Sequence, residues 1–207
     1  MCSSDLVHPR HTAIRLVATT SMIPLFKARI PSGGSAAVSN VLASGQIAGG
    51  RLVKQFEEKL GHWLGNPRVC ATTDSANALV LALYSAGVRP GDEVILSPMV
   101  CLATSMPVAQ LFAKPVWCDV DPLTGGLAPE HLQTLISPRT KAIVNYHWSG
   151  NLGATGTLLQ IAHTCGIPLI EDASEAFGAL HQGRPLGNGS ADYTVFSFGP
   201  VRQLSCG

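Results

Sequence analysis

Two acidic side chains at the end of an apolar run, Glu171 and Asp172, are the first residues in this 207-residue chain whose placement suggests chemistry. Ile167 to Glu171 reads as a strand, and open α/β sheets build their sites at the carboxyl ends of strands. Asp172 therefore either meets a ligand or ends the strand in a turn. Glu175 lies in the same turn, before Gly178, and read alone is a solvated carboxylate. A second region runs from Thr73 through Asp74, Ser75, Ala76, Asn77 and Ala78 to Leu79 at the start of a helix. Backbone N–H groups there suit a phosphate, while Asp74 or Ser75 suits the same helix as an N-cap. Near the end of the sequence stands Arg202. Its guanidinium stays protonated and is not a carbonyl nucleophile, but it can grip a phosphate or a carboxylate.

The elements that must position these groups alternate. A helix is predicted from Gly33–Gly34 to Ala43, then a flexible loop over Ser44 to Gly50. The next helix carries Val53, Phe56, Leu60, Trp63 and Leu64 on one face. Val69 to Thr72 reads as a short strand. Ala76, Leu79, Val80 and Leu83 mark a buried helix stopped at Gly87. Strands follow at Glu93 to Leu96, Pro115 to Cys118, Ala142 to Tyr146, Ile167 to Glu171 and Tyr193 to Phe198. Helical faces lie between them, near Leu102 to Leu111, Pro129 to Ile136 and Leu158 to Cys165. Short apolar runs without a period of two, separated by helices, imply a mostly parallel sheet sandwiched by helices. The predicted fold class is α/β.

Composition narrows the function classes. Charged residues are only 13%, about half the typical share, which points to extensive burial. A net charge of +1 gives no footprint for nucleic acid or an anionic membrane. Six cysteines lie far apart with no CxxC pair, so reduced, mostly buried thiols and no metal site are expected. No apolar run approaches the length needed to span a bilayer. Residues 1 to 22 lack periodicity and read as a leader, disordered or not native.

The segments Ile170-Glu171-Asp172-Ala173-Ser174-Glu175-Ala176-Phe177-Gly178 and Phe196-Ser197-Phe198-Gly199-Pro200-Val201-Arg202-Gln203-Leu204 resemble the DegT/DnrJ/EryC1/StrS family of pyridoxal-phosphate-dependent sugar aminotransferases. The resemblance covers residues 23 to 207. It implies an N-terminal arm and the large domain of a type I fold, with the smaller C-terminal domain lying outside this chain. By the same resemblance, Asp172 pairs with the cofactor's pyridine nitrogen, and Glu175 stands near its phenolic oxygen. Ser197, Ser75 and Ala76 would hold the phosphate, with Asp74 and Ala76 departing from the family's usual residues. Cys101 takes the place of the residue stacked on the ring; read alone, it is a buried small hydrophobe. His147 and Trp148 would line the sugar side.

Arg202 occupies the position where the family has a lysine that holds pyridoxal 5'-phosphate as a Schiff base. The implied function is transamination of nucleotide-linked keto-sugars with a donor such as glutamate, in a cytoplasmic homodimer whose Gln46 to Gly50 loop reaches across to the neighbour. Arginine at 202 makes activity of the chain as written doubtful. The alternatives are a non-catalytic paralogue binding an anionic or sugar-nucleotide ligand, a heterodimer partner, and a nonfunctional truncated product.

Overall fold

The computed structural model describes residues 30–206, so the expected leader lies outside the described residues. Helices α1 (Gly34–Ser44), α2 (Arg51–Leu64) and α3 (Ser75–Ser85) precede the first strand, β1 (Glu93–Leu96). Then come α4 (Leu102–Gln110), β2 (Lys114–Trp117), α5 (Pro129–Leu135), β3 (Thr140–Tyr146), α6 (Thr155–Cys165) and β4 (Leu169–Asp172). A two-residue pair, β5 (Leu180–His181) and β6 (Arg184–Pro185), precedes β7 (Tyr193–Val195).

Five strands form one parallel sheet in the order β2-β1-β3-β4-β7. Side chains alternate across a strand, so each strand feeds both faces. Val94 and Leu96 of β1 and Ala142 and Val144 of β3 pack with Leu79 and Leu83 of α3 and Val108 of α4. Ile95 and Ile143 point the other way and pack with Leu132 of α5 and with Leu158 and Ile161 of α6. All four residues of β1 are buried, as expected of a strand covered on both sides. From β1 the chain goes out to β2 and returns past β1 to β3. In open α/β sheets such a switch marks the ligand-binding side, at the strands' carboxyl ends. The turn into α4 and the end of β3 both lie at those ends.

Three expectations need correction. Val69 to Thr72 is not a strand. Its Ala71 N–H donates instead to Glu57 Oε1 of α2 at 2.8 Å, and among the described residues no strand pairs with it. The β5–β6 hairpin was not anticipated, since two-residue strands carry no periodicity. Gln182 and Gly183 link its strands at φ 50° and 77°, the left-handed pair a tight right-twisted hairpin requires. Thiols are mostly exposed: Cys70, Cys101, Cys165 and Cys206 reach solvent, and Cys118 is buried.

Leu60 and Leu64 are buried on α2, but Val53, Phe56 and Trp63 remain 40–46% exposed. Trp63 stacks on Phe177 at 4.9 Å, and Phe56 meets Phe198 edge-on at 5.2 Å. Helix α1 buries no residue. Among the described residues, no helix is long and apolar enough to cross a membrane, and no His, Cys, Asp and Glu group is arranged to hold a metal.

Candidate functional site

Asp172 ends β4 in register with Tyr146 of β3 and Val195 of β7. It is 2% exposed. Buried carboxylates need partners, and this one has them: Thr104 Oγ1 donates to Oδ2 at 2.7 Å, and the Ser174 N–H and hydroxyl both donate to Oδ1. Thr104 reaches it from the inner side of α4, three residues after Cys101. The carboxylate is thereby fixed at the carboxyl end of the sheet.

Glu175 lies three residues on. Its Oε1 accepts from Arg202 Nη1 at 3.0 Å, and its Oε2 accepts from the Ser149 N–H at 3.0 Å. The Tyr146 side chain lies close enough to this carboxylate to feel it. Burial above all, then Glu175 and the more distant Asp172 and Cys101, push the Tyr146 hydroxyl well above its ordinary pKa. Asp172, Glu175, Arg202 and Cys101 thus belong to one neighbourhood, with Tyr146 at its centre. Sequence reading passed over Tyr146 and Thr104. A tyrosine at the carboxyl end of a mostly apolar strand was the available signal for the first; for the second there was only its i+3 spacing from Cys101.

Asp74 caps α3, accepting from the Asn77 N–H at 2.8 Å. That bond is the main reason its carboxyl sits below the usual range, with weaker help from Thr73 and from the Ala76 N–H. The Asn77 N–H at this helix start is therefore turned to Asp74, because an N-cap carboxylate competes for the donors an anion would use. Ser75 and Ser197 do come together: both line a groove of about 1150 Å³ between α2, α3 and the β7 segment. Asp74, Phe198 and Cys206 share its wall, whereas Asp172, Glu175, Arg202 and Cys101 do not.

Cys101 is exposed and precedes α4 as its N-cap, with its sulfur 3.7 Å from Thr104 Oγ1. It is not the buried hydrophobe its residue type suggests. His147 does not line an open pocket either. It is 1% exposed, with Nε2 3.4 Å from Glu171 Oε1 on the sheet face opposite Asp172. Trp148 alone of that pair reaches solvent, at 40%.

The DegT/DnrJ/EryC1/StrS aminotransferase family matches residues 31–207. This chain belongs to that family. It is 37% identical over 180 residues to the UDP-2-acetamido-2-deoxy-3-oxo-D-glucuronate aminotransferase of Pseudomonas aeruginosa, covering 87% of this chain and 50% of the relative. The spore coat polysaccharide biosynthesis protein SpsC of Bacillus subtilis is 34% identical over 170 residues, 82% of this chain and 43% of the relative. Among solved structures, AtS13 from Actinomadura melliaura superposes with a TM-score of 0.84 at 34% identity, covering 89% of this chain and 51% of that one. The PLP form of the sugar aminotransferase Spr1654 from Streptococcus pneumoniae gives 0.83 at 27%, covering 88% and 50%. The chain spans about half the length of these relatives. Its α/β fold is that of the corresponding part of these family structures.

Proposed function

We propose that this chain is the large-domain portion, residues 23–207, of a pyridoxal-phosphate-dependent aminotransferase of nucleotide-linked keto-sugars, with arginine standing where the family's lysine belongs. The observation that carries the reading is Asp172, a buried carboxylate aimed from the end of a central strand and fixed by Thr104 and Ser174. Pyridoxal phosphate supplies an electron-accepting ring whose protonated nitrogen such a carboxylate stabilises.

The side chains fit that group unevenly. The nitrogen pole is well provided for by Asp172. At the phosphate pole, Ser75 and Ser197 share one groove, but Asp74 brings a negative charge and occupies the Asn77 N–H. The aldehyde pole is not met, because Arg202 offers no nucleophilic amine and its Nη1 is committed to Glu175. The covalent attachment of the cofactor therefore has no residue here to perform it. Glu175, with both carboxylate oxygens engaged, orients Arg202 and the Ser149 turn rather than acting as a free acid.

The keto-sugar substrate follows from the name of the Pseudomonas aeruginosa relative. An amino donor such as glutamate, a homodimer with the exposed Gln46 to Gly50 loop at its interface, and a cytoplasmic location belong to the same reading. A second reading is favoured by Asp74 and by the Arg202–Glu175 pair: a non-catalytic member that binds an anionic or sugar-nucleotide ligand, alone or beside an active partner.

Borohydride reduction separates the two. Protein mixed with pyridoxal phosphate, reduced and mapped by mass spectrometry is expected to carry no adduct at position 202. Arg202→Lys, in a chain extended to the relatives' length, is expected to acquire one there if the first reading holds. An extended Arg202→Lys chain that stays unmodified favours the second.

A further inference from the structure

Glu175 draws together three separate parts of the chain. Arg202 and Ser149 each approach its carboxylate at 3.0 Å, Gln203 Nε2 donates to its backbone carbonyl, and the Tyr146 side chain lies beside it. The Ser149 turn is pressed hard against this residue. Ser149 lies at φ 51°, a left-handed conformation uncommon for a residue with a side chain. Gly150 follows at φ 81°, and a Cβ there would come within 2.9 Å of the Glu175 carbonyl oxygen. Tyr146 is 6% exposed, and the Arg202 and Glu175 side chains are 19% and 33% exposed.

We infer that Tyr146 and Glu175 are positioning residues for Arg202, forming with the Ser149 turn a latch that fixes the segment after β7 to the carboxyl ends of β3 and β4. A lysine at 202 would be held through its bond to a ligand. An arginine has no such anchor, and a charge-assisted hydrogen bond, with the Ser149 N–H holding the other carboxylate oxygen and Tyr146 packed beside it, takes its place. The latch sets where the guanidinium stands whether or not anything is bound, so the inference does not depend on which ligand the site takes.

Two amides report on this segment: Arg202 N–H donates to the Gly199 carbonyl at 3.1 Å, and Cys206 N–H to the Phe198 carbonyl at 2.9 Å. Hydrogen exchange over residues 198–206, measured on the whole chain by mass spectrometry, tests the latch. Glu175→Gln and Arg202→Gln are each expected to speed exchange there about tenfold or more, as loss of a charge-assisted bond implies. Tyr146→Phe is expected to act in the same direction but less. The Glu175→Gln/Arg202→Gln double variant is expected to match the single variants, and Arg202→Lys to keep part of the protection.

In the unmodified protein, added salt is expected to weaken protection, because the pair is partly exposed and screened. In either glutamine variant that salt effect is expected to vanish, which a role confined to packing would not produce. Unchanged exchange in Arg202→Gln, additive single effects, or protection indifferent to salt would each overturn the inference. Should Glu175→Gln fail to fold, the cycle formed by Tyr146→Phe and Arg202→Gln decides in the same way, additivity again counting against the latch.

Discussion

At the residue scale, Glu171 and His147 pose the sharpest energetic question. Glu171 is 0% exposed and His147 1%, their nearest polar atoms are 3.4 Å apart, and neither histidine nitrogen nor Glu171 Oε1 makes a well-aligned hydrogen bond. Thr194 Oγ1 satisfies the other Glu171 oxygen at 3.0 Å. Removing one member of a buried pair strands the other, so Glu171→Ala is expected to lower stability by about 3 kcal/mol in urea unfolding. Thr104→Val takes a donor from Asp172 and is expected to lower it by about 1–2 kcal/mol. Asp172, Glu175 and Arg202 stood out in the sequence because they fall in recognisable segments next to strand ends. Tyr146 and Thr104 did not, because their importance comes from which strands lie side by side.

At the element scale, α3 exposes a conflict between folding and ligand binding. Asp74→Ala removes the N-cap and is expected to destabilise by about 1 kcal/mol. Asp74→Ser keeps a capping oxygen and removes the charge. Under the proposed function, it is expected to bind pyridoxal phosphate more tightly than the unmodified chain does, as measured by fluorescence titration. Unchanged affinity would mean that Asp74 does not oppose the phosphate.

Strand β1 begins at Glu93, buried against Ser137 Oγ at 2.7 Å and Arg139 Nη2 at 2.7 Å. These partners, Ser137 first, hold its carboxyl below the ordinary value of 4.5. A depressed carboxylate contributes stability at pH values above its unfolded pKa and loses it as pH falls through the folded one. Unfolding midpoints are therefore expected to drop below about pH 4.5, with a shallower drop in Glu93→Gln. The long apolar strands and stopped helices were legible because burial on both faces leaves an unbroken hydrophobic run. Val69 to Thr72 carried the same signal but lacks a partner strand, and composition does not reveal pairing.

For the whole molecule, the described chain leaves much apolar surface uncovered. Val38 and Leu42 of α1, Leu52 and Val53 of α2, and Leu81 and Tyr84 of α3 are 41–65% exposed. Among the described residues, strand β7 also ends the sheet, pairing only with β4. An unprotected edge beside apolar surface promotes association. Light scattering on the isolated chain at tens of micromolar is expected to show species larger than a monomer. Alternating strands and helices made the layered α/β architecture readable in advance. The switch in strand order was not readable, because it depends on where each returning strand docks.

Asp172 is clamped between strands on both sides, whereas Ser197 lies past the end of a strand with one neighbour. Under the proposed function, thermal motion along a cofactor spanning the two is expected to be unequal: small where the ring nitrogen would rest, larger toward the phosphate. Dephosphorylated vitamers such as pyridoxine, which reach only the stiff end, are expected to retain much of the affinity of their phosphorylated counterparts.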